Sequence, residues 1–255
     1  GTDLLVQMRA GVASPGTVIN VKKIAEMSTI TQTPDGGFRI GAAVSGAEIG
    51  EHAALQAAWP GVVEAINLIG SKQVQGRASA GGNLCNASPA ADSVPAMVAA
   101  GAVVTVKGPN GTRELPVEQV PAGPGRTSLA RGELIVSIAL PPRPAGSGDA
   151  YLRLIPRTEM DIAVVGVGVS LTMKDGVVTA ARVGLGAVAP TALLVDDAAK
   201  ALIGSKLEPE AIEKAAAACR AACNPINDKR GTIEYRTKVA GVLLKRATAI
   251  AAGRA

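Results

Sequence analysis

The stretch "DIAVVGVGVSLTMKDGVVTAARVGLGAV", Asp161 to Val188, reads as a pair of long strands folded about Lys174-Asp175-Gly176. Its two Val-rich runs are separated by an Asp-Gly dipeptide suited to a two-residue hairpin turn, so an antiparallel pair is expected. Three helix-like segments follow: "TALLVDDAAKALIG", "EPEAIEKAAAACRAA" and "IEYRTKVAGVLLKRATAIAAG". Each carries its apolar residues at helical spacing, and Lys and Arg stand toward the end of the last, where they suit the helix dipole. A small antiparallel sheet with helices packed on it therefore accounts for the second half of the chain. Just before it, "RPAGSGD" is rich in Pro, Gly and Ser and marks a boundary near residue 147.

Upstream the pattern changes. "TVINVKKI" (Thr17 to Ile24) reads as β-rich, and "TITQTPDGGFRIGAAV" has two strand-like halves about Pro34-Asp35-Gly36-Gly37. Ser45 to Gly70 opens on a Ser cap, runs apolar at helical spacing and is broken at Pro60-Gly61, which predicts two short helices. "SVPAMVAAGA" reads as a helix, "AVVTVKGPNGTRELPVEQV" as two strands about a turn, and "GELIVSIALP" as a further strand. The class is α+β, with no internal repeat.

Composition narrows the function. The chain has 255 residues, 47% of them hydrophobic, enough for one sizeable core or two modest ones. No apolar run approaches the roughly 18 residues that span a bilayer, and no secretory signal pattern opens the sequence, so a soluble, cytoplasmic chain is expected, with association at the inner face of a membrane left open. The net charge of +5 is scattered among pairs such as Lys22-Lys23 and Lys245-Arg246, and 2% of the residues are aromatic. Nucleic-acid binding, which calls for a basic stripe with interleaved aromatics, is excluded on that pattern. Three cysteines cannot ligate an iron–sulfur cluster that needs four thiolates. Cys219 and Cys223 read as small side chains on one helix face. His52, the single histidine, reads as an ordinary helix residue and leaves no His-rich metal site. No metal site and no proton-transfer catalyst is expected in this chain.

The chemistry lies in "SAGGNLCNASPAAD", Ser79 to Asp92. Gly81-Gly82-Asn83 alone is a tight turn. With Ser79, Asn83, Ser88 and Asp92 around it and a helix following, its amides suit an anion-binding nest. It is neither a Walker loop, lacking Gly-Lys-Ser/Thr, nor a Rossmann fingerprint, lacking the third glycine. "GTDLLVQMRAG" (Gly1 to Gly11) offers a second such element, and two of them suit the pyrophosphate of a dinucleotide.

Five blocks in order, "GTDLLVQMR", "RASAGGNLCNASPAADSVPAM", "GELIVSIALP", "AYLRLIPRTEMDIAVV" and "DKRGTIEYRTKVAGVLLKRA", give the whole chain a resemblance to the FAD-binding subunit of the molybdenum hydroxylases. This is the xanthine dehydrogenase family, and the carbon monoxide dehydrogenase medium-subunit type resembles the chain most. The resemblance implies a PCMH-like α/β FAD-binding domain over residues 1–146, with 1–27 the remnant of its first subdomain and 28–146 its second, and a C-terminal flavoprotein domain over 147–255. It implies that Gly1, Thr2, Asp3 and Leu4, with Ala78, Ser79, Ala80, Gly81, Gly82 and Asn83, hold the FAD diphosphate. Ser88 and Asp92 would lie near the nucleotide, Ile135 at the flavin end, and Arg153 and Asp161 close to the cofactor. A strand–helix–strand unit ending in Ala-Gly-Gly is implied before Gly1 in a longer chain.

The implied partners are a large subunit with the molybdenum cofactor and a small subunit with two [2Fe-2S] clusters, assembled as a dimer of heterotrimers. Electrons would pass through FAD to an external acceptor. Carbon monoxide dehydrogenases place Tyr after the residue matching Asp161, where Ile162 stands here, which weakens carbon monoxide as the expected substrate. The four-cysteine insertion of benzoyl-CoA reductase relatives is absent. Two other expectations stay open: a stand-alone flavin oxidoreductase, and a cofactor-free assembly subunit.

Overall fold

The computed structural model describes residues 1–255. In chain order its first half contains α1 (Thr2–Arg9), β1 (Ile30–Gln32), β2 (Phe38–Gly41), α2 (Gly46–Glu51), α3 (Ala53–Ala58), α4 (Pro60–Asn67), α5 (Lys72–Gln75), α6 (Ala80–Cys85) and α7 (Ser93–Ala100). There follow β3 (Val103–Gly108), β4 (Gly111–Pro116), β5 (Pro121–Gly123), β6 (Arg126–Thr127) and β7 (Leu134–Leu140). The second half contains β8 (Ser147–Leu154), β9 (Val165–Lys174), β10 (Val177–Gly186), β11 (Leu193–Leu194), α8 (Asp196–Leu202), α9 (Pro209–Ala222) and α10 (Ile233–Ala252). No helix is long and apolar enough to cross a membrane.

The expected hairpins are present. Asp175 and Gly176 turn β9 into β10 with φ of 52° and 75°, the left-handed pair that a two-residue turn compatible with strand twist requires. The first sheet runs β1-β2-β7-β3-β4 and the second β11-β10-β9-β8, with every pairing antiparallel. Each sheet has its own core. One centres on Phe38, Ile40, Met97, Ile138 and Leu140. The other lies between the second sheet and α8 to α10, with Val165, Val167, Val169 and Leu185 pointing at Leu202, Ala216 and Leu244.

Strand alternation gives the second sheet a different opposite face. Gly168 pairs with Gly184, and Gly166 with Gly186, so four glycines leave a bare patch across β9 and β10. Helix α7 lies there. A Cβ at Gly184 would fall 2.2 Å from the Pro95 carbonyl oxygen, and one at Gly168 2.5 Å from it. All eight residues of α7 are buried, because the first core covers one side and the glycine face the other.

Three expectations are corrected. Thr17 to Ile24 forms no strand: Asn20 accepts a hydrogen bond from the Lys22 amide at 3.1 Å, and this local bond favours the single 3-10 turn at Val21–Lys23. Lys22 reaches the Ala43 carbonyl at 2.7 Å. Ser45 to Gly70 forms three helices instead of two. His52 is extended, and its Nδ1 accepts the Leu55 amide at 3.1 Å, so the histidine ends α2 and caps α3. Its ring meets Phe38 edge-on at 6.0 Å. The last turn of α10 carries no basic residue; Lys245 lies earlier and pairs with Glu213 on α9.

Candidate cofactor site

The Ser79 to Asp92 stretch is less a turn than a short helix with a polar exit. Ser79 caps α6 by accepting the Gly82 amide on Oγ at 3.1 Å. The first-turn amides of any helix lack intrahelical partners, and they give its start a partial positive charge. Ala78 and Ala80 are buried beside this start, and the Ala78 carbonyl accepts from Gly46 at 2.8 Å. Leu84 turns into the first core and fixes which side of α6 faces out.

The other glycine-polar element is the start of α1. Gly1 is its N-cap, with Thr2, Asp3 and Leu4 in the first turn. The start of α1 lies beside the far end of α6: Asn86, the C-cap of α6, places its Nδ2 3.5 Å from Asp3 Oδ1. Gly1 has no atom within 4 Å of where a Cβ would stand, and Gly82 is exposed with only Ser79 Oγ at 3.1 Å. Gly81 differs, since a Cβ there would meet the Ala42 carbonyl oxygen at 2.5 Å. Close packing inside the protein explains Gly81, and an open approach from outside is left at Gly82. An exposed glycine in the first turn of one helix, with the start of a second helix beside it, leaves room for a pyrophosphate, so the residues present fit the group.

Asn83 and Asp92 are tied into the protein. Asn83 Oδ1 accepts from Ser93 Oγ at 2.7 Å. Asp92 accepts from the Tyr151 hydroxyl at 2.9 Å and from Arg153 Nη1 at 2.7 Å. Tyr151 and Arg153 are two residues apart on β8 and share the face that carries the glycines, which is why both reach the start of α7. All three side chains are buried. Burial pushes the Asp92 carboxyl up, against the opposing pull of Arg153 and Tyr151. Burial, then the Asp92 charge, holds the Tyr151 hydroxyl well above its ordinary value, so it stays a donor.

The remaining expected residues lie apart from this arrangement. Ser88 accepts the Ala90 amide within its own loop at 3.3 Å. Ile135 is 3% exposed on β7 and packs in the first core. Asp161 accepts from Arg157 Nε at 3.0 Å and from the Ile162 amide at 2.8 Å, and these bonds hold its carboxyl below the usual range. It belongs to a separate cluster with Arg230 and Asp228, beside the half-exposed Ile162. Sequence reasoning missed Tyr151, Ser93 and Asn86. The available signal was the spacing of Tyr151 and Arg153, which sends two polar-tipped side chains to one face of a strand.

Residues 1–143 match the family described as the FAD binding domain in molybdopterin dehydrogenase. This chain belongs to that family. Residues 150–251 of the same family member match the CO dehydrogenase flavoprotein C-terminal domain. The carbon monoxide dehydrogenase medium chain of Afipia carboxidovorans is 34% identical over 260 residues, covering 100% of this chain and 88% of the relative. The xanthine dehydrogenase FAD-binding subunit of Escherichia coli O157:H7 is 27% identical over 247 residues, covering 96% and 85%. Among solved structures, the cyanide-inactivated Cu,Mo-CO dehydrogenase superposes with a TM-score of 0.96 at 34% identity, covering 100% of this chain and 88% of that one. The Hydrogenophaga pseudoflava carbon monoxide dehydrogenase lacking the Mo-pyranopterin moiety gives 0.95 at 34%, with the same coverage. The chain is thus a molybdopterin-dehydrogenase FAD-domain protein of the medium-subunit kind, an oxidoreductase subunit.

Proposed function

We propose that this chain is the electron-transferring flavin subunit of a molybdenum hydroxylase complex. The observation that carries the reading is the exposed Gly82 in the first turn of α6, with the start of α1 lying beside the same helix, inside the segment that matches the FAD-binding family. Backbone amides at the starts of α1 and α6 would hold the diphosphate, with Gly1 to Leu4 on one side and Ala78 to Asn83 on the other. Ser88 and Asp161 would lie along the path from nucleotide to flavin, and the buried Asp92, Arg153 and Ile135 would support it from behind. Asp92 and Arg153 act there as a neutralised pair, so their burial keeps that wall rigid and excludes water. Bound FAD supplies the step between one-electron and two-electron carriers that side chains cannot provide.

The partners that fit this role are a large molybdenum-cofactor chain, which would choose the substrate, and a small chain with two [2Fe-2S] clusters, which would deliver electrons. A dimer of heterotrimers is the assembly we propose. The division of the chain into an FAD-binding unit over 1–146 and a C-terminal unit over 147–255 belongs to the same reading. The test is to purify the chain with whatever accompanies it, strip the flavin and titrate FAD back. Stoichiometric uptake with a flavin absorption spectrum is expected, together with co-purification of a molybdenum chain and a cysteine-rich chain. A colourless chain in an intact, active assembly overturns the proposal.

A further inference from the structure

The bonds around α7 join two parts of the molecule that meet at the cofactor surface. At its start, Asp92 is held by Tyr151 and Arg153 from β8. One residue on, Ser93 Oγ donates to Asn83 Oδ1 on α6, at 2.7 Å. Toward its end, the Val98 carbonyl accepts from Arg182 Nε of β10 at 3.1 Å. The glycine face beneath gives α7 no side chains to interlock with on that side, and these polar bonds act with the first-core packing of Met97 and Val98 in setting its position.

Tyr151 is the member whose hydroxyl contributes no charge of its own and donates to Asp92. It is 3% exposed, and a Cβ at Gly166 would sit 2.5 Å from its hydroxyl oxygen. The ring thus lies flat across the bare strand, and the hydroxyl is delivered to Asp92 Oδ1 in one orientation.

We propose that Tyr151 is a positioning residue for the FAD cradle. Its hydroxyl fixes Asp92, Asp92 fixes the first turn of α7, and the Ser93–Asn83 bond carries that placement to α6. The second sheet thereby sets how tightly the first unit holds the diphosphate. This rests on the FAD reading above.

The experiment compares the full chain with Tyr151→Phe, Ser93→Ala and the double variant, each stripped of flavin and titrated with FAD. Stability in urea without FAD and the visible circular dichroism of the bound flavin are recorded for each. Phe keeps the ring over Gly166, so the fold is retained. We expect each single variant to weaken FAD binding about tenfold, a loss of about 1.4 kcal/mol, with the same altered flavin dichroism. The double variant should bind no more weakly than either single one, because both cut the same relay. Additive losses, or an FAD affinity unchanged while only urea stability falls, overturn the positioning role and leave the FAD reading standing. A parent chain that takes up no FAD overturns both.

Discussion

A methyl group added at Gly81 would press on the Ala42 backbone at 2.5 Å, whereas one at Gly82 would meet only the Ser79 hydroxyl at 3.1 Å. Gly81→Ala should therefore lower stability by about 1 to 3 kcal/mol through overpacking. Gly82→Ala should stay within about 1 kcal/mol of the parent in urea, since helix propensity favours Ala over Gly, yet bind FAD more weakly. Urea melts and FAD titration of both variants separate the two roles; a Gly82 variant with full FAD affinity would mean that nothing approaches the backbone closely there. The sequence singled out this pair but could not divide the labour, because which glycine faces Ala42 depends on a loop some forty residues earlier in the chain. The same limit hid His52. Nothing in the local sequence distinguishes a helix residue from a cap whose imidazole nitrogen accepts an amide, and the ring also packs on Phe38 of β2.

At the scale of elements, the two long strands and their turn were legible because hairpin chemistry is local. So were the three helices that follow. The glycine face was also present in the alternation Val-Gly-Val-Gly, but its meaning needed a partner helix, which the sequence supplies sixty-odd residues earlier. Gly184→Ala would put a Cβ 2.2 Å from the Pro95 carbonyl oxygen. We expect α7 to be lifted from the sheet and the melting temperature to fall well below that of a control such as Gly176→Asn, placed at an open turn whose left-handed backbone Asn tolerates. Thr17 to Ile24 misled because β-branched composition says nothing of strand neighbours, and no neighbour is there to pair with.

The loop into β7 carries its own acid sensitivity. Glu133 accepts from Arg113 on β4 at 2.9 and 2.8 Å and from the Ala130 amide at 2.7 Å. These bonds, the arginine first, pull its carboxyl from 4.5 down to about 2. A folded-state value below the unfolded one means the stabilisation is complete above about 4.5 and is lost as the pH falls toward 2. Chemical-shift titration of Glu133 should place its midpoint in the low end of that window, and Glu133→Gln should remove this part of the acid dependence. An unshifted midpoint would mean that the clamp is open in solution.

For the molecule as a whole, its two sheets have separate cores, yet Tyr151 of the second sheet belongs to the first core. Arg182 links β10 both to α7 and to Glu118, and Arg254 after α10 pairs with Glu64 on α4. The halves should melt as one transition. Coincident circular dichroism and Trp59 fluorescence curves are expected, because Trp59 lies in the first core, and two resolved steps would show the halves to be independent. The overall class and the order of elements were readable from the chain. The coupling was not, since it depends on side chains that meet only after both sheets exist.

The burial of α7 on every side has a consequence for how the protein breathes. Solvent deuterium can reach the backbone of this helix only when the two layers part, so its amide protons should be among the slowest to exchange, at a rate set by complete unfolding rather than by local fraying. A helix usually reports on its own neighbourhood; this one is a gauge for the entire chain.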